Sequence, residues 1–170
     1  MLDTGIFSHQ EHLRASFEVS DQLNAEGDLE RSSPFYRDLR TNPVAAIFTQ
    51  KEQNWQPGDS GVKYLRVGNS GDLALDYIIS FSVTDQGLGD ALHFTITRLT
   101  SAGSVLNEES RGVVLGAQLP QVALSRRDLP AGDQFDLYRI EYRFSNLADN
   151  DCTGSFCMEV TLHANASTGF

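Results

Sequence analysis

The chain is poor in the features that mark many functional classes. It has 2 cysteines in 170 residues, too few for a disulfide-dense scaffold or a four-cysteine zinc site. No apolar run approaches the roughly 20 residues a membrane-crossing helix needs. The longest, residues 73–83, is broken by Asp76 and by serines. The start lacks the basic and then apolar pattern of an export signal, so an exported protein would have lost its leader from this chain. Basic residues are outnumbered, with Lys+Arg 13 against Asp+Glu 23 and a formal net charge of -10. Such a surface repels phosphate backbones and anionic lipid, which argues against nucleic acid and membrane insertion.

Catalytic patterns are missing as well. There is no Gly-x-Ser-x-Gly elbow and no phosphate-cradling glycine loop. The segment His9-Gln10-Glu11-His12 invites comparison with the helical zinc-protease signature. That signature needs histidines four apart with Glu directly after the first; here they are three apart and Glu11 is misplaced, so the pair reads as solvated. His93 and His163 fall on the polar phase of their segments and read as surface residues. Asp149-Asn150-Asp151 lacks the twelve-residue frame of a calcium hand and reads as a polar turn. Asn165-Ala166-Ser167 matches a glycosylation triplet that is frequent by chance. No catalytic residue, metal or cofactor is expected.

What is present is alternation. Hydrophobic residues make up 40% and charged residues 21%, a globular composition with room for one domain and one core. Leu73, Leu75, Tyr77, Ile79, Phe81 and Val83 all stand at odd positions. A period of two over that length predicts a strand with one buried and one wetter face. Leu92, Phe94 and Ile96 repeat it, as do Tyr138, Ile140, Tyr142 and Phe144. So do Phe156, Met158, Val160, Leu162 and Ala164, and near the start Leu13, Ala15, Phe17 and Val19. Turn-forming groups separate these runs: Pro57-Gly58-Asp59, Asn69-Ser70-Gly71-Asp72, Gly87-Leu88-Gly89-Asp90 and Pro130-Ala131-Gly132-Asp133. Many strands at short intervals predict an all-β, jelly-roll-like antiparallel β-sandwich.

Two stretches break the pattern. Residues 24–54 read as an insertion in which Asn42-Pro43 starts a short helix over residues 44–48. Residues 103–120 are ambiguous, with Val105, Val113 and Leu115 as candidate strand positions. The expected organisation is a segment at residues 1–12 followed by a single sandwich domain over 13–170. Cys152 and Cys157 are separated by Thr-Gly-Ser-Phe. A disulfide across so short a loop is sterically possible and would pin a turn; two free thiols are the alternative.

One further pattern is the order of the turns. Trp55-Gln56-Pro57-Gly58-Asp59-Ser60 is followed by the alternating Val62-Lys63-Tyr64-Leu65-Arg66-Val67, and then by Asn69-Ser70-Gly71-Asp72-Leu73. Later, Leu129-Pro130-Ala131-Gly132-Asp133 precedes an aromatic-rich run, and Thr153-Gly154 leads into a final run ending His163-Ala164-Asn165-Ala166. With Gly5-Ile6-Phe7-Ser8 and Phe17 at the start, this order resembles the TasA/camelysin family of secreted biofilm matrix fibre proteins. The resemblance covers about two thirds of the chain. The longer segment 24–54 and the cysteine pair depart from it.

The resemblance implies an extracellular structural subunit, not an enzyme, that polymerises head to tail with copies of itself, with other matrix proteins as further partners. In such fibres the N-terminal segment of one subunit completes a sheet of the next. Here that donor strand would be the apolar stretch at residues 2–7, carried by Leu2, Gly5, Ile6 and Phe7. A camelysin-like metallopeptidase and a monomeric surface adhesin, with Trp55 or Tyr36 stacking on sugar, are the alternatives.

Overall fold

The alternating runs are strands of a two-sheet sandwich. The computed structural model describes residues 14–41, 45–49, 58–86, 92–99, 105–114, 122–144 and 155–167. These contain β1 (Ala15–Ser20), β2 (Arg37–Asp38), β3 (Ala45–Thr49), β4 (Ser60–Asn69) and β5 (Leu75–Gln86). They continue with β6 (Leu92–Leu99), β7 (Val105–Val114), β8 (Val122–Leu129), β9 (Gln134–Phe144) and β10 (Ser155–Ala166). A single turn of 3-10 helix spans Leu39–Thr41.

One sheet has the order β3-β10-β5-β8 and the other β2-β1-β4-β9-β6-β7. Strands β3 to β10 thus form two four-stranded sheets, β3-β10-β5-β8 and β4-β9-β6-β7, with the interleaved order of a jelly roll. Strands β1 and β2 widen the second sheet beyond β4. All pairings are antiparallel.

The core lies between the sheets, where the period-two rows meet. Leu75, Tyr77, Ile79 and Phe81 of β5 are buried with Phe94 and Ile96 of β6, Tyr138, Ile140 and Tyr142 of β9, and Met158 and Val160 of β10. Ile78, on the opposite phase of β5, is 46% exposed, and Leu73 lies in the turn before β5. Opposite Tyr142 in the ladder stands Gly61. A Cβ there would fall inside the Tyr142 ring, so the absent side chain lets the aromatic lie across β4.

Turn chemistry places the strand ends. Gly132 (φ 84) and Asp133 (φ 64) take left-handed conformations between β8 and β9. Asp128 (φ 58) does the same inside β8, where the register against β5 shifts between Leu75 and Tyr77. The extra residue makes a bulge, and the Asp128 amide donates to the Asp76 carboxylate at 2.9 Å.

The segment expected to be a helical insertion is built otherwise. Ala45–Thr49 is strand β3, paired with Cys157 to Val160 of β10, and the 3-10 turn Leu39–Thr41 precedes it. The edge of β10 offers backbone hydrogen bonds that an isolated turn of helix cannot match. Residues 21–36 lie on the outer face of the larger sheet. There Leu29 is buried with Leu99 and Leu137, and Leu23, Tyr64 and Phe135 pack around them. The ambiguous stretch contains strand β7.

Candidate functional site

Two long openings run between the sheets of any sandwich, one along each side. In this molecule the two are closed differently.

On the side of β6 and β8, the closure is a buried carboxylate. Asp136 belongs to the inward row of β9 and is 6% exposed. Its Oδ1 accepts from Arg98 Nη2 of β6 at 3.1 Å. Its Oδ2 accepts from Arg126 Nε of β8 at 3.1 Å and from the Tyr77 hydroxyl of β5 at 2.6 Å. The Tyr77 and Tyr138 hydroxyls are 2.6 Å apart. Tyr77 gives its one proton to the carboxylate, so Tyr138 donates to the Tyr77 oxygen. Arg98, Asp136 and Tyr138 come from one sheet, Tyr77 and Arg126 from the other, so these bonds tie the sheets together. Burial, then the neighbouring Tyr138 and Asp136, pushes the Tyr77 hydroxyl far above the usual phenol range. Burial also raises Tyr138.

On the side of β1 and β10, the described residues leave the closure incomplete. β10 pairs with β5 along its whole length, down to Ala166 opposite Leu75. On its other edge β3 covers it only as far as Val160, opposite Ala45. Among the described residues, the outer edge of residues 161–166 has no strand beside it. Beneath that edge is a cavity of about 240 Å³ lined by Phe17, Leu39, Arg40 and Leu162. Ala15, Leu162 and Ala164 are only partly buried against the core. The rim is held by Arg40, which donates to Asp38 Oδ2 at 3.0 Å and to the Ala15 carbonyl at 3.3 Å.

The same end of the sandwich holds the start of β1. Ser70 donates its backbone N–H to the Arg14 carbonyl at 2.9 Å, and Ser167 donates to the Ala74 carbonyl at 2.9 Å. Both bonds land on the turn between β4 and β5. The start of β1 and the end of β10 therefore lie at the same end of the sandwich.

Leu2, Gly5, Ile6 and Phe7 lie outside the described residues, as do His9, His12, Trp55, Cys152 and residues 149–151. Cys157 is placed as a backbone position of β10 opposite Thr84. His93 and His163 are exposed. Tyr36 is half-buried, and burial, then the nearby Glu18, pushes its hydroxyl above the usual phenol range. Among the described residues, no group of three or more His, Cys, Asp or Glu side chains could hold a metal ion.

Sequence reading missed both closures. An acidic residue in the inward row of Tyr138, Ile140 and Tyr142 was the available signal for the first. The second left no signal, because an unpaired edge is a property of strand order.

No family model matches the chain, and no curated protein sequence matches it. Among solved structures, the chain is similar to TmCBM61, whose structure holds beta-1,4-galactotriose. The identity is 10%, 92% of each chain is covered, and the TM-score is 0.37. An overlap that loose transfers neither ligand nor role.

Proposed function

We propose that this protein is a structural subunit of an extracellular filament of biofilm-matrix type, assembled head to tail by strand donation. The observation that carries this reading is the outer edge of residues 161–166, beside which no described strand lies, above a cavity lined by Phe17, Leu39, Leu162 and Arg40. An open edge presents N–H and C=O groups that an added strand satisfies. The free edge is six residues long and so is the apolar stretch 2–7. In register, such a strand would place alternate side chains over Phe17, Leu39 and Leu162. If the segment comes from another copy, the contact does not close on itself and propagates a filament. If it folds back into its own groove, the protein is a monomer.

Deleting residues 1–8 separates these outcomes. The truncated protein should fold and remain monomeric at concentrations where the full chain forms filaments visible by electron microscopy. Filaments from the truncated protein would refute strand donation by this segment. A peptide of residues 1–8 added in trans should shorten the filaments of the full chain by capping free grooves.

A further inference from the structure

We infer that salt concentration governs assembly of this filament, which is held apart at low ionic strength by the subunit's own charge and released by screening. The inference rests on the filament reading above. Each subunit carries a formal charge of -10, and a net charge that far from zero keeps a protein monomeric. Of its 13 basic residues only Lys51 and Lys63 are lysines. Lys63 is buried, with its ammonium 4.2 Å from the centroid of the Phe35 ring.

The charge also stands at the joint. The end at which β1 begins is formed by the turns between β4 and β5 and between β8 and β9, joined by Gly132 N–H to Gly71 O and Asp133 N–H to Asn69 O. Asp72, Asp128 and Asp133 are exposed there and Asp76 is half-buried, and the arginines near that end include Arg14, Arg127, Arg126 bound to Asp136 and Arg40 bound to Asp38. A subunit offering its segment brings this acidic end toward another acidic molecule. Two effects of salt then compete. Screening weakens any ion pair formed across the joint, and it weakens the repulsion between the whole subunits. The second dominates, because it sums over the full surplus of carboxylates while the inserted stretch 2–7 contributes a single charge, Asp3. The reach of that repulsion falls from about 10 Å at 0.1 M salt to about 3 Å at 1 M.

The test measures the critical concentration for filament formation by the full chain, using sedimentation, from 0.05 to 1 M NaCl and in MgCl2 at matched ionic strength. The expected result is a fall of about tenfold across the NaCl series, with MgCl2 following the same curve. The variant carrying Asp72→Asn and Asp133→Asn should assemble at lower salt than the wild type. Asn tolerates the left-handed backbone at position 133, and a thermal melt checks that the variant is folded. Filaments whose critical concentration is flat or rises with salt would overturn the inference while leaving the filament reading intact. A far greater potency of MgCl2 at equal ionic strength would replace screening with cation bridging and overturn it too. Absence of filaments at every salt concentration would refute the filament reading itself.

Discussion

Between β6 and β8 the sheets are joined by a carboxylate that two guanidiniums and a tyrosine hydroxyl reach from both sides. Between β1 and β10 they meet through Phe17, Leu39, Leu162 and two alanines, beside a strand edge that has no neighbour among the described residues. The first side is directional and saturated. Each oxygen of Asp136 has a partner at hydrogen-bonding distance, and any opening separates charges in a medium that screens them poorly. The second side is non-directional and unfinished. Apolar contacts there can be exchanged for those of an inserted strand at little cost, and the backbone gains hydrogen bonds in the exchange. If the protein accepts a strand as proposed, one side would hold while the other yields, and this asymmetry would supply both.

The largest test of the contrast is removal of the pin. Asp136→Ala leaves Arg98 and Arg126 facing each other without a counter-charge, and should cost about 3–5 kcal/mol by chemical denaturation. A loss below about 1 kcal/mol would mean that solvent already screens the cluster and that the two sides are not distinct.

A smaller effect is expected at the phenols. Tyr77→Phe removes the proton given to Asp136 and the acceptor used by Tyr138, for about 1–3 kcal/mol. The same pair sets a pH dependence. Both hydroxyls have folded-state pKa values raised above the ordinary phenol value of 10.0. The folded state therefore keeps protons that the unfolded chain releases. The stabilisation is complete below about pH 10 and is lost as pH rises beyond it. Thermal melts from pH 7 to 11.5 should show a steep alkaline fall in the wild type and a shallower one in Tyr77→Phe. Equal slopes would place the alkaline transition elsewhere.

The smallest effect belongs to the open side. Leu162→Ala enlarges a cavity that is already present and truncates a side chain that is only partly buried. It should cost about 1 kcal/mol in the monomer, below the usual 2–5 kcal/mol for a fully buried leucine. In filaments the same change should weaken growth more than it weakens folding, because the inserted strand packs on that leucine. A full-sized loss of monomer stability would show that the groove is closed in solution.

The sandwich itself was legible because burial on a sheet follows period two. Phe17 and Val19, Leu75 to Phe81, and Tyr138 to Tyr142 each occupy the row their parity assigns. Residues 44–48 were not legible, since a short apolar run has the same appearance in a strand and in a helix. Its pairing with β10 decided the matter. Leu23 and Leu29 gave no period at all; their burial depends on Leu99 and Leu137, which lie far along the chain on the outward phase of β6 and β9.

What the sequence determined by itself was which residues face inward and where the chain turns, because side-chain parity and left-handed turn positions are local properties of the backbone. Which strands become neighbours was decided only in the tertiary structure. Asp136 meets Tyr77 across 59 residues, and among the described residues β3 reaches along β10 as far as Ala45 opposite Val160 and leaves residues 161–166 without a strand beside them. Both facts follow from strand order and register, which come from the packing of the whole chain and are written in no single segment of it.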